Sequence, residues 1–345
     1  MTGRKVTIRD LARDLNLSVG SVSNALNGNT GQVSQATVQR VREAAQRLGY
    51  STNRAARSLK TGRQDAISLY IPEGVRSLNF YMDFMLGVVE VADEAHLDVV
   101  LTTTQSGNRS GPVVDGAVVV DWLPQQRTPP QFRFADFPVV AAGAVSSNEF
   151  MPTTVVSADY ARIASEMVTA AIAQGAKKVA MLAPDPGFGS DWATSTEQGV
   201  RSACEKVDAD LAVARIRVSA DSHEVVEAAK HLYDGFYPDA VVFGPQRFAG
   251  IVAPVLGWGS PGHDVPFVMS CAGDPVTELT SPTITAIDAD PRVFGRECAR
   301  ELIDAIETGP TTPAKSPRIV AHTARIHWAT HWVPRSLTRE DDAVP

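Results

Sequence analysis

The chain reads as a small all-α head of helix-turn-helix type followed by an α/β core of two doubly wound parallel-sheet lobes. Three observations predict this. Apolar residues recur at helical spacing through residues 1–50. From Ala66 onward, strand-length apolar runs alternate with amphipathic helix-length runs, the pattern of parallel sheets covered on both faces. Charge is divided unevenly: residues 1–63 hold eleven Lys and Arg against three acids, a net +8, which leaves −15 for the rest of a chain whose total is −7. A basic module on an acidic body is the electrostatic footprint of a nucleic-acid binder, with binding confined to the head.

The head divides into three helices. Thr7 caps the first, with Asp10 as a short capping-box partner, and Ile8, Leu11, Ala12 and Leu15 form its apolar stripe. Asn16-Leu17 interrupts the pattern, and Ser18 caps a second helix over Val19–Leu26, with Val22, Ala25 and Leu26 inward. Asn27-Gly28 ends it and a polar loop follows. Ser34 caps a third helix with Val38, Val41, Ala45 and Leu48 inward, stopped by Gly49. A second helix lined with Ser21, Ser23, Asn24 and Asn27 after a tight turn fits a recognition helix in the major groove, where hydroxyls and amides reach base edges or phosphates.

In the body, strands are expected at Ala66–Ile71, Leu97–Thr104, Val114–Val120, Val139–Ala142, Lys178–Ala183, Leu211–Val218, Ala240–Gly244 and Phe267–Cys271. Helices are expected at Phe80–Glu94, Ala161–Gln174, Thr194–Val207, Ser222–Tyr233, Phe248–Leu256 and Pro291–Thr308. Only Gln105–Val113, polar and Gly-rich, separates two of these strands, too short for the usual crossover helix, so that helix is expected to be missing. The expected division is a head at 1–49, a hinge at 50–65, a core at 66–336 and a polar tail at 337–345. Lobe 1 takes about 66–157 and 289–314, and lobe 2 takes 158–288 and 315–336. A ligand cleft between two such lobes is the natural site.

Other classes are weakly supported. No run of eighteen apolar residues exists, so no membrane span is expected. MTGRKVTIRD lacks a secretory apolar segment, and Cys204, Cys271 and Cys298 form no CxxC, which together point to a cytoplasmic, nucleoid-associated protein with free thiols. No GxSxG, HExxH or phosphate-loop spacing occurs, so neither an enzyme nor a cofactor is expected. His322, His327 and His331 are read as satisfied or exposed residues rather than metal ligands.

The residues also carry a resemblance. Thr7-Ile-Arg-Asp-Leu-Ala12, Ser18-Val-Gly-Ser-Val-Ser23, Leu26-Asn-Gly28, Val33-Ser34, Leu48-Gly-Tyr50, Asn53 and Ala56-Arg-Ser-Leu59 resemble the headpiece of the lactose-repressor (LacI) family of bacterial transcription regulators. The body matches more thinly, at Asp115-Gly-Ala-Val118, Gly175, Gly199 and Asp239-Ala-Val241 among others, which implies a periplasmic-binding-protein-like core with three crossover strands. The resemblance implies that Val19, Gly20 and Asn24 choose the base sequence, while Thr7, Ser18, Ser21, Ser23, Asn27, Ser34, Thr37, Tyr50 and Asn53 hold phosphates or support readout. It further implies a hinge helix with Ala56 that wedges Leu59 into the minor groove. Val19 and Gly20 lack polar reach, so direct readout there is expected to be weak, and Asn24 suits adenine.

The same resemblance places the effector between the lobes. Thr196 stands where an arginine is usual, and Pro245-Gln246 where an Asn-Asp pair is usual; Asp274 is two residues beyond the expected aspartate. With Phe80, Tyr81, Asp159 and Trp192, these are the candidate effector residues, and the lost polar groups disfavour a simple sugar. The reading is a homodimeric repressor that binds operator DNA and is modulated by a small molecule. The alternatives are an effector-blind DNA-binding dimer and a solute-binding sensor with a vestigial head.

Overall fold

The computed structural model describes residues 6–26, 32–50, 58, 62–71, 79–102, 113–122, 137–143, 151–188, 190–258, 266–274, 277, 284–309 and 316–329. They fall in two compact units, Met1–Gln64 and Asp65–Pro345.

The first unit holds α1 (Ile8–Leu15), α2 (Val19–Leu26) and α3 (Gln35–Leu48). Each start has a side-chain cap. Thr7 and Asp10 form a reciprocal capping box, Ser18 Oγ accepts the Ser21 N–H at 3.0 Å, and Ser34 Oγ accepts the Thr37 N–H at 3.2 Å. Asn16 and Gly49 close α1 and α3 in the left-handed region, at φ 54° and 64°. Leu11, Val22, Ala25 and Val41 are fully buried in one small core. Ala44 is the fully buried alanine of α3, and the expected Ala45 packs partly buried against the same core, since spacings of three and four both fall on the inward stripe.

The second unit runs β1 (Ala66–Tyr70), α4 (Asn79–Glu94), β2 (Asp98–Thr102), β3 (Gly116–Val120), β4 (Val139–Ala142), β5 (Thr154–Ser157), α5 (Tyr160–Ala173), β6 (Lys178–Pro184) and α6 (Asp191–Glu205). It continues with β7 (Asp210–Ile216), α7 (Ser222–Phe236), β8 (Ala240–Phe243), α8 (Phe248–Leu256), β9 (Phe267–Ser270), β10 (Ile284–Asp288), α9 (Pro291–Thr308), β11 (Arg318–Ala321) and β12 (Arg325–His327). Two six-stranded sheets result. The first is ordered β11-β5-β4-β3-β1-β2 and is parallel throughout. The second is ordered β12-β10-β9-β8-β6-β7, parallel except for β12, which runs antiparallel to β10. β1 and β3 are buried along their whole length, as strands covered on both faces must be.

The chain passes from sheet to sheet after β5, after β10 and after β11. The last passage corrects the expected lobe boundary: β11 pairs with β5 in the first sheet, Ile319 opposite Val155, so residues 318–321 belong to lobe 1. Four strands lie beyond the eight expected: β11 and β12 fall in the C-terminal segment Arg318–Ser336, which the resemblance implies returns to finish the sheets, while β5 and β10 are only four and five residues long and carry threonine and serine or aspartate among their apolar residues. The stretch expected to lack a helix, Gln105–Val113, lies outside the described residues apart from Val113, and so does the polar tail.

Helix pairs face each sheet and set its position. α4 and α9 pack in the lobe 1 core through Phe84, Val88, Phe294 and Leu302. They approach so closely that a Cβ on Gly87 would run into the Arg292 carbonyl, and one on Gly295 into the Phe84 carbonyl. α5 and α6 pack in lobe 2, where Ile163, Met167, Val200 and Ala203 meet Val179 and Met181. Among the described residues no helix is long and apolar enough to cross a membrane.

Candidate functional site

On the head, burial of Val22 and Ala25 turns the opposite face of α2 outward. Val19 is 43% exposed and Gly20 is exposed, with only the Ser18 hydroxyl, at 3.7 Å, near the position a Cβ would take. Asn24 donates its amide to Gln32 Oε1 at 2.6 Å, so the expected base-reading group already has a partner. Ser23 is half-buried. The hydroxyls of Thr7, Ser18, Ser21, Ser34 and Thr37 meet in pairs at helix starts: Thr7 with Asp10, Ser18 with Ser21, and Ser34 with Thr37. These residues therefore build two things at once, the caps and a set of helix N-termini, the backbone geometry that receives phosphate. Tyr50 packs against the head core, and burial raises its phenol above the ordinary value. Asn27, Asn53, Ala56 and Leu59 lie outside the described residues.

The core holds a cleft between its lobes, about 850 Å³ when the solvent-open space at its mouth is included, at the carboxyl ends of the strands, where open α/β sheets bind ligands. Phe80 and Tyr81 enter it from the start of α4, Asp121 from the end of β3, Tyr160 from the start of α5, and Asp191 and Trp192 from the start of α6. Asp121 accepts the Tyr81 hydroxyl at 2.5 Å and the Ser190 hydroxyl at 3.4 Å, so it links the two lobes. A second link is Gln246, whose Oε1 accepts the Phe80 N–H at 3.5 Å while its Nε2 donates to the Gly273 carbonyl at 2.7 Å.

The electrostatics follow from burial and acceptor crowding. Burial pushes the Asp121 carboxyl up to about 6, against the lowering effect of the Tyr81 and Ser190 hydrogen bonds and with a further push from Asp191. The Tyr81 and Tyr160 phenols are also raised, mainly by burial and then by Asp121. The Cys271 thiol in the cavity wall is pushed up to about 12 by burial.

Of the expected effector residues, Phe80, Tyr81, Trp192 and Gln246 line the cavity, and three do not. Asp159 caps α5, accepting the Arg162 N–H at 3.0 Å. Thr196 is fully buried and spends its hydroxyl on the Trp192 and Ala193 carbonyls at 2.8 and 3.1 Å. Asp274 is buried and holds the backbone N–H groups of Thr277 and Arg247 at 2.9 and 2.8 Å. Each serves local backbone that would otherwise be unsatisfied. Sequence reading missed Asp121, Tyr160 and Asp191. Asp121 did carry a signal: it is the first residue after an apolar strand, at the strand's carboxyl end.

Of the three histidines expected to be satisfied or exposed, one is satisfied in the interior. His322 is buried in the passage between β11 and β12. Its backbone N–H donates to the Ser157 carbonyl at 2.9 Å, while ring Nε2 lies 2.5 Å from the Ala289 carbonyl and ring Nδ1 lies 2.7 Å from Glu297 Oε2. It thus bonds to both other interlobe passages. His327 stays half exposed, 3.5 Å from Asp288, and His331 lies outside the described residues.

Comparison with known proteins gives two family matches. Residues 7–53 match the model for bacterial regulatory proteins of the lacI family, and residues 168–326 match the periplasmic-binding-protein-like domain. The HTH-type transcriptional regulator CelR of Thermobifida fusca is 28% identical over 326 residues, covering 90% of this chain and 94% of that protein. Catabolite control protein A of Priestia megaterium is 28% identical over 186 residues, 51% of this chain and 54% of that protein. Among solved structures, a CelR–cellobiose complex superposes with a TM-score of 0.64 at 23% identity, covering 94% of this chain and 99% of that one. The lac repressor dimer bound to operator and the anti-inducer ONPF superposes with a TM-score of 0.73 at 18% identity, covering 93% and 98%.

Proposed function

From the premise that the chain belongs to the lacI family of bacterial regulatory proteins, DNA-binding transcriptional regulators rather than enzymes, we infer a division of labour between its two units. The head reads a pseudo-palindromic operator as one of a pair, in a homodimeric repressor of the cytoplasm. α2 enters the major groove with Val19, Gly20 and Asn24 toward the bases. The first turns of all three helices offer backbone N–H groups to phosphates, and Leu59 wedges the minor groove at the operator centre.

The core senses a small molecule in the cavity between its lobes. The observation that carries this reading is the cavity itself, closed over by two interlobe hydrogen-bond links, Asp121 to Ser190 and Gln246 to Phe80. A ligand that replaces those links changes the relative free energy of two lobe arrangements, which is how an effector shifts a DNA-binding equilibrium. A simple sugar is disfavoured because among the described lining residues there is no Lys or Arg, and Gln246 already uses its amide.

Genome-wide footprinting of the full chain, with sedimentation of the protein alone, tests this reading. A dimer that protects symmetric half-sites one helical turn apart supports it. A monomer, or protection without symmetry, overturns the dimeric operator.

A further inference from the structure

We propose that the interlobe cavity takes a cationic effector, a ligand carrying an ammonium group on an apolar or aromatic body; this rests on the reading of the cavity as an effector site.

The walls are aromatic. Phe80, Tyr160 and Trp192 contribute ring faces or edges, and Phe80 is itself buttressed by Phe84 at 6.0 Å and by Tyr81 at 5.3 Å between ring centroids. The charges are of one sign. Among the described residues, Asp121, Asp191 and Asp288 line the cavity and no lysine or arginine does. Asp288 is shared at its edge with His327 and the Asp290 N–H. Asp191 has no hydrogen-bond or ion-pair partner among the described residues, and neither has the Tyr160 hydroxyl. Among the described residues only neutral hydroxyls donate to the Asp121 carboxylate, and Asp191 raises its carboxyl by repulsion.

Filling this space with a neutral ligand strips water from the carboxylates without supplying a counter-charge, which is costly. An ammonium group supplies the charge and the donors together. Its N–H groups meet acceptors, and the aromatic faces attract the cation through their quadrupoles. An anion is repelled outright. A neutral polyol offers hydroxyl donors, yet it leaves the negative charge of the cavity uncompensated.

The test is calorimetric titration of the full-length chain with 2-phenylethylammonium, its neutral counterpart 2-phenylethanol, the anion 3-phenylpropionate, and cellobiose. The ammonium compound is expected to bind at least about tenfold more tightly than the alcohol, the scale of one desolvated cation–aromatic contact, and the anion not at all. Asp191→Asn should shrink the ammonium-over-alcohol preference severalfold, and Asp121→Asn should do so as well if the first variant folds poorly. Equal binding of ammonium and alcohol overturns the proposal. So does tighter binding of cellobiose, no ammonium binding at millimolar concentration, or a preference untouched by both variants. Operator binding by the unmodified chain without ligand, measured on the same preparation, reports separately on the regulator reading.

Discussion

His322 lies flat on Phe294, with ring centroids 4.1 Å apart and planes 7° from parallel. The pair joins the hinge to the cavity: Phe294 lines the cavity, while His322 bonds to the carbonyls of Ser157 and Ala289 on the other two interlobe passages. One residue thus ties all three passages together, through its backbone N–H to Ser157 and its ring Nε2 to Ala289. Truncating it as His322→Ala removes a buried ring and two side-chain hydrogen bonds. The expected loss is about 2–4 kcal/mol of unfolding free energy in urea melts. A loss within about 0.5 kcal/mol, the range of ordinary surface changes, would show that the hinge does not depend on this ring.

The contact between α4 and α9 makes a second prediction. Gly87→Ala and Gly295→Ala each place a methyl group against backbone carbonyls, which cannot move as a flexible side chain can. Each is expected to destabilise the core by about 1–3 kcal/mol or more. Gly235, within α7, has nothing within 4 Å of the position its Cβ would take, so Gly235→Ala should stabilise by about 0.5–1 kcal/mol. Thermal melts of the three variants give the ordering; a neutral Gly87→Ala rules out the close helix approach.

The raised carboxyl of Asp121 makes stability depend on pH. Its folded value of about 6 lies above the ordinary 3.8, so between these values the folded chain holds the proton more tightly than the unfolded chain. The folded state therefore loses stability as pH rises from about 4 to above 6. Asp121→Asn removes the charge that causes this loss. The variant should melt above the unmodified chain at pH 8, with the difference shrinking toward pH 4. A Tm difference that is the same at both pH values contradicts the burial effect.

On the head, the Asn24 amide bonded to Gln32 must exchange that partner to reach a base. Asn24→Ala is expected to relax selection at one base pair of each half-site, by about 1–3 kcal/mol, with the other positions unchanged. Selection from a randomised operator library measures this. Leu59→Ala should lower operator affinity and bending together, and unchanged affinity in a gel-shift assay removes the wedge.

The head was legible because its signals are local. Thr7, Ser18 and Ser34 announce helix starts through hydrogen bonds that span three residues, and Gly49 announces a stop through its own backbone. The cavity was half legible. Gln246 was placed by position in the resemblance and Phe80, Tyr81 and Trp192 as aromatic candidates for the wall, and all four line it. Thr196 and Asp274 were not, because whether a hydroxyl or carboxylate faces a ligand or its own backbone depends on a rotamer and on the turn beside it, neither of which has a sequence period.

The amino-acid sequence by itself determined the helical head, the alternating α/β body and the confinement of positive charge to the head, since spacing and charge are properties of the chain before it folds. Only the tertiary structure decided that β11 belongs to the first sheet, that His322 binds three passages into one hinge, and that Asp121, Tyr160 and Asp191 share a cavity. These are meetings of residues distant along the chain. Their partners are selected by how two sheets and their helices close over one another, and no local pattern records that closure.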